Sequence, residues 1–239
     1  MTGPARPAHD VQQETTVTKS GRAEGSRRRA RGRSTRNRPT DDQLLDAARA
    51  VIAEVGVERS TMDMIAERGG TTRVTLYAHF GSRDALVENV VERELAEFTE
   101  WMFAAYDDTT DVAYGARARH SVEATFEYAR RNPEGFRILL GHRQEAEDPG
   151  RRLYQTLEPR VAARLRENYA TRGAEIAASA DTLASLLIGI SLDVAYRALI
   201  VDDADIDAAC EVAVTATMAV LRDVRPDQLL ALDASLGKG

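Results

Sequence analysis

Residues 60–87 read STMDMIAERGGTTRVTLYAHFGSRDALV, and this stretch decides how the rest of the chain is organised. Ser60 or Thr61 can cap a short helix with Met62, Ile65 and Ala66 on its inward face, and Gly69 and Gly70 stop it. A second short helix starts at Thr71 or Thr72. In it Thr72, Leu76 and Phe80 are four residues apart, so Leu76 and Phe80 are the expected anchors and Arg73, Val74 and Tyr77 lie on the other side. Ser82 then caps a longer helix from Arg83 past Phe98, with Leu86, Val90, Val91, Leu95 and Phe98 at inward spacing.

Upstream, Thr40 followed by Gln43 is a capping-box pattern, and Asp41 and Asp42 suit the positive end of a helix. Leu44, Leu45, Ala48, Val51, Ile52 and Val55 recur on one face, and Gly56 ends the element. Two short capped helices joined across a glycine turn, with a packing helix before them, form a helix-turn-helix. A helix pinned in this way can enter a major groove roughly 12 Å wide and present its N-terminal residues to base edges. Thr72 and Thr75 sit in its first turn, where free N–H groups and the helix dipole favour a phosphate. Tyr77 and His79 lie at its far end, near the DNA backbone, and Ser82 and Arg83 repeat the arrangement at the next helix start.

The same stretch closely resembles the DNA-binding domain of tetracycline-repressor-like (TetR-family) regulators. The shared signature is Thr61, Ile65–Ala66, Gly70, Thr72, Thr75–Leu76–Tyr77, His79–Phe80, Ser82 and Leu86. It covers roughly residues 40–90, and the remainder is similar only in layout. The resemblance implies double-stranded DNA contacts from Thr61, Thr72, Arg73, Val74, Thr75, Tyr77, His79, Ser82 and Arg83, made on two half-sites of a palindromic operator by a homodimer. Three positions depart from the family pattern. Gly69 stands where alanine is common, a change expected to loosen the helix end by about 1 kcal/mol. Thr71 replaces a common valine. Val74 occupies a usually small position, where its methyls could meet a thymine methyl.

Charge is unevenly spread. The chain carries −6 overall, yet residues 1–40 hold ten Lys/Arg against Asp10, Glu14 and Glu24, leaving −13 on the remainder. Residues 1–38 are rich in Pro, Gly, Ser, Thr and Arg and are expected to be a disordered arm. Within it Arg27, Arg28, Arg29, Arg31, Arg33, Arg36 and Arg38 are candidate phosphate or minor-groove contacts. Because residues 41–92 carry ten acids against five arginines, DNA affinity would rest on few well-placed contacts plus that arm.

No alternating strand pattern follows, so the chain is expected to be all-α. A helix closing at Asn132 hands over to one opened by Pro133 and running on to about Ala146. Another begins after Pro149–Gly150, where Pro159 either kinks it or starts its main part. Two more are expected at about 176–201 and 205–222. The expected division is an arm at 1–38, a helix-turn-helix domain at 39–85, an effector-binding and dimerisation domain at 86–225, and a C-terminal tail at 226–239.

The helix around Leu183, Leu187, Ile190 and Val194 is apolar nearly all round and must be covered on more than one side. With the small-residue helix carrying Cys210, Ala213 and Thr217, it resembles the pair that forms the family's four-helix dimer seam. Aromatic residues concentrate between 98 and 154, where Phe98, Trp101, Phe126, His142 and Tyr154 are candidates for an effector pocket. Arg137, His142 and Arg143 nearby would suit an anionic or acylated small molecule.

Other classes are disfavoured by the same residues. Four scattered histidines and one cysteine give no metal spacing and no disulfide, no cofactor motif is present, and Cys210 fits a reducing cytoplasm. Asp193 and Arg197 interrupt the longest apolar stretch, so no membrane span is expected. Glu123 and Glu127 lie one turn apart but have no nucleophile or phosphate loop beside them, so an enzyme is not expected. The reading is a dimeric, ligand-responsive regulator, expected to be a repressor that its effector releases from DNA. The alternative is an effector-independent architectural DNA binder.

Overall fold

The computed structural model describes residues 39–107, 113–141 and 149–236, and every regular element among them is helical. In chain order these are α1 (Asp41–Val55), α2 (Met62–Arg68), α3 (Arg73–Phe80), α4 (Arg83–Asp107), α5 (Tyr114–Arg131), α6 (Pro133–Leu140), α7 (Pro149–Thr171), α8 (Ser179–Tyr196), α9 (Ile206–Asp223) and α10 (Pro226–Leu236). A π-type turn, Arg197–Val201, continues α8.

The ends of these helices follow from local chemistry. The Thr40 hydroxyl accepts from Gln43 N while the Gln43 side chain accepts from Thr40 N, so two orphan donors of α1 are satisfied reciprocally. Gly56 takes φ +85° at the other end and donates to Ile52 O. Asn132 closes α5 and caps α6, its amide oxygen accepting from Gly135 N, and Pro133 occupies the first turn, where no donor is lost. Pro159 lies inside one continuous α7. Residues 226–236, which the sequence assigned to a tail, form α10 with Leu229 buried. The α10 residue Asp233 accepts from Ala177 N, Ser179 N and the Ser179 hydroxyl at the start of α8.

One apolar cluster joins α1, α2 and α3 to the first half of α4, through Leu44, Ile52, Ile65, Leu76, Leu86 and Val90, and takes Ile138 from α6. A second gathers the far half of α4 (Phe98, Met102, Tyr106) with α5 to α9. A third lies between α7, α8 and α10. The 25-residue α4 is therefore shared between the helix-turn-helix core and the larger core. The segment Ser179–Val201 is long and apolar enough to cross a membrane by length and hydropathy, which the sequence reading had ruled out. Within it Leu183, Leu187, Ile188 and Leu192 are buried against neighbouring helices.

Candidate nucleic-acid interface and ligand cavity

Leu76 is fully buried and Phe80 packs beside it, so α3 is held by the side the sequence indicated. Its opposite side carries Val74, 77% exposed, and Tyr77, 44% exposed. Large apolar groups so exposed have no role in holding α3. Arg73 lies beside them, 3.2 Å from Asp63 and with its guanidinium carbon 6.0 Å from the Tyr77 ring centroid. Thr72 caps α3 by accepting from Thr75 N, and its hydroxyl lies 3.0 Å from that of Thr75. Thr61 caps α2 and Ser82 caps the start of α4 in the same manner. Each cap places a hydroxyl among the free N–H groups of a first turn, a setting that suits a phosphate oxygen.

The two glycines of the turn act differently. Gly70 has φ +59°, which a side chain would strain. Gly69 does not; a Cβ there would lie 3.3 Å from Ala47 Cβ, so this glycine lets α2 end close against α1.

Two residues expected to face DNA are turned elsewhere. The Arg83 Nε donates to Ser60 O at 2.8 Å, and its Nη2 donates to Val57 O, which latches α4 to the α1–α2 connection. The His79 Nδ1 meets Asp41 Oδ1 of α1, with the ring largely buried. The partners of both are distant in sequence, so capping and periodicity carry no sign of them. The arginines Arg27, Arg28, Arg29, Arg31, Arg33, Arg36 and Arg38 lie outside the described residues, as do His142 and Arg143.

The expected effector-pocket residues Phe98, Trp101, Phe126 and Tyr154 are not among the walls of the cavity that lies between α4, α5, α7, α8 and α9. Phe98 and Phe126 are core residues, 0% and 1% exposed. The Trp101 Nε1 donates to Ala124 O, Arg131 covers the Trp101 ring, and Tyr154 packs against the core. Arg137 donates to Ala53 O, between α1 and α6. That cavity, among α4, α5, α7, α8 and α9, has a volume of about 80 Å³. Its walls include Met102, Val122, Leu157, Leu187, Ile188 and Leu192, with Tyr106, Tyr114, Arg117, Ser121, Thr125, Arg164, Ser191 and Thr217 as the polar members. Burial pushes the Tyr106 phenol up to about 12, against the lowering effect of Arg164 and Arg160. Burial also raises the Tyr114 phenol, with Tyr169 adding to the rise and Arg164, Arg117 and Arg172 opposing it. Both phenols therefore stay protonated at neutral pH.

Leu187 and Thr217 line this cavity, while Leu183 and Ala213 are buried in the chain's own core, so these four expected seam residues face inward. Ile190, Val194 and Cys210 are half-buried. The exposed apolar residues on the same two helices are Leu186 on α8, 50% exposed, and Val212 on α9, 63% exposed. A helix apolar all round hides which of its stripes is the outer one. Burial raises the Cys210 thiol, Glu123, Glu211 and Asp207 add to the rise, and Arg130 opposes it, so this is an unactivated cysteine.

Residues 44–90 match the family described as bacterial regulatory proteins, tetR family. The transcriptional activator FasR of Mycolicibacterium smegmatis is 34% identical over 120 residues, covering 48% of this chain and 54% of FasR. This chain thus spans about half the length of FasR. The regulator UidR of Escherichia coli is 30% identical over 187 residues, covering 73% of this chain and 85% of UidR. The transcriptional regulator FadR of Bacillus subtilis, solved in complex with stearoyl-CoA, superposes with a TM-score of 0.62 at 17% identity, covering 75% of this chain and 98% of that one. A shared fold is what that last likeness establishes. The match over the helix-turn-helix and the long alignment with UidR agree with the geometry of α1 to α4: the chain belongs to the TetR family of bacterial transcriptional regulators, DNA-binding proteins and not enzymes.

Proposed function

We propose that the protein is a homodimeric, cytoplasmic repressor that occupies a palindromic operator and leaves it when a small molecule fills the cavity among α4, α5, α7, α8 and α9. The observation that carries the DNA half of this reading is the pairing of a buried Leu76 with exposed Val74 and Tyr77 on one eight-residue helix. A helix pinned on one side and bare on the other suits insertion into a major groove. Thr61, Thr72, Thr75 and Ser82 would meet phosphates, Val74 a base edge, and the arm of arginines the adjoining minor groove. The dimer would close over the exposed stripe marked by Leu186 and Val212. The effector half is supported by the cavity itself, and FadR, which shares the fold, holds stearoyl-CoA.

Selection of binding sites from random duplexes, followed by gel shift under a large excess of random DNA, tests the reading. An inverted repeat whose complex survives that competition is expected. Loss of the complex to competitor would indicate the architectural alternative. In a reporter assay, expression is expected to rise when the regulator is deleted; a fall would make it an activator.

A further inference from the structure

The arginines of α7 set the problem. Arg152 pairs with Glu88, Arg160 with Asp107 and Arg166 with Asp181. Arg164, on the same helix, has no carboxylate at ion-pair distance among the described residues. Its Nη2 donates to Tyr106 O and its guanidinium lies over the Tyr106 ring, 4.9 Å from the centroid. It is also a wall residue of the cavity, where Arg117 is a second cation and no Asp or Glu contributes among the described residues. A guanidinium that faces no described carboxylate on an apolar-walled cavity creates a positive potential that low-dielectric surroundings strengthen.

The hydroxyls of the wall add a second observation. Ser121 donates to Arg117 O, Thr125 to Ser121 O and Ser191 to Leu187 O, each returning its proton to its own helix. Thr217 does not. Its residue is 3% exposed and its Oγ1 has no partner. A buried hydroxyl left unbonded costs about 1–3 kcal/mol, so an acceptor on a bound molecule would satisfy a need already present in the wall.

We infer that the cavity binds a small amphiphile with an anionic head and an apolar body, the head beside Arg164 and Arg117 and the body against Met102, Leu187 and Ile188. This inference rests on the proposed reading of the cavity as an effector site. It excludes a cationic ligand, which would bring a like charge to Arg164. Thr217 then donates to an oxygen of the ligand and acts in orienting it.

Calorimetry on the full chain with decanoate, decanol and decyltrimethylammonium at equal chain length tests it, and decanoyl-CoA shows whether the anion comes from a free acid or from a thioester's carrier. Decanoate or decanoyl-CoA is expected to bind at least tenfold tighter than decanol, and the ammonium compound not at all. Arg164→Gln is expected to remove that tenfold preference while leaving decanol binding in place. Arg117→Gln makes the same comparison should Arg164→Gln lower the melting temperature. Decanol or the ammonium compound binding as tightly as the anions overturns the inference and leaves the cavity a ligand site. Binding by none of the four overturns both the inference and the effector half of the proposed function.

Discussion

The Nε of Arg49 in α1 lies 3.0 Å from Oε1 of Glu94 in α4, and the Glu94 side chain is 1% exposed. This pair ties the helix-turn-helix core to the helix that also reaches the cavity through Met102 and Tyr106. Arg49 also reaches Glu134 at the start of α6, and Asn132 donates to the second Glu94 oxygen at 3.3 Å.

Burial raises the Glu94 carboxyl above its ordinary value; Arg49 pulls it down, Glu97 adds to the rise, and Arg93 and the Asn132 amide oppose it. The folded protein thus holds this proton more tightly than the unfolded chain. The resulting stability is fully present below the ordinary 4.5 and is lost as pH rises through the raised value. Glu94→Gln imitates the protonated form and should cost little at neutral pH. Arg49→Met strands a buried carboxylate and should cost about 3–5 kcal/mol. Urea unfolding between pH 4 and 8 checks this: the stability of the native chain relative to Glu94→Gln should fall as pH rises. An Arg49→Met cost no larger than that of Glu94→Gln would contradict it.

On α3, holding and reading should separate cleanly. Leu76→Ala empties a fully buried site and should destabilise the fold by about 2–5 kcal/mol. Val74→Ala and Tyr77→Ala remove exposed groups and should change stability by no more than about 0.5 kcal/mol. Their effect should appear in operator affinity, as a loss of at least tenfold. Thermal melts and anisotropy titrations on the same preparations give both readouts.

Arg83 is expected to behave as a latch. Arg83→Met removes the donor to Ser60 O and one of the donors to Val57 O, which keeps the Ser60 hydroxyl, so melting temperature should fall. The salt dependence of operator binding should keep its slope. A slope reduced by one phosphate contact, roughly 0.9 in log–log units, would return Arg83 to the DNA. Deleting residues 1–36 should flatten that slope if the arginine arm contacts DNA, and an unchanged slope would assign the arm to solvation.

For the dimer, Leu186→Asp and Val212→Asp put a charge on exposed apolar positions and should yield a folded monomer by sedimentation. Leu183→Asp buries a charge in the chain's own core and should unfold it. A Leu186→Asp protein that remains dimeric would move the seam elsewhere.

Much of this architecture was legible because it is local. The Thr40 capping box, the Thr72 cap, the Asn132–Pro133 handover and the Leu76 anchor each involve residues within four positions of one another, and the structure has them all. The α10 helix was missed although Pro226 and Asp227 mark its first turn. What sequence could not give depends on distant partners or on the choice between two apolar faces. Arg83 bonds carbonyls 23 and 26 residues away. On α8 apolar residues occur all round, so Leu187 and Leu186 read alike although one lines a cavity and the other meets solvent. The aromatic cluster was likewise real, but Phe98 and Phe126 fill the core while Tyr106 stands in the cavity wall.

Site-directed cleavage tests most directly whether α3 from each of two protomers lies in the major groove. A chelated iron attached at Val74→Cys, in a chain whose Cys210 is replaced by alanine, would cut DNA within reach of the exposed face of α3. Two clusters of cuts are expected in the selected operator, their centres about 10 base pairs or a multiple of that apart. Cuts scattered without register, or absent while the protein is bound, would contradict it.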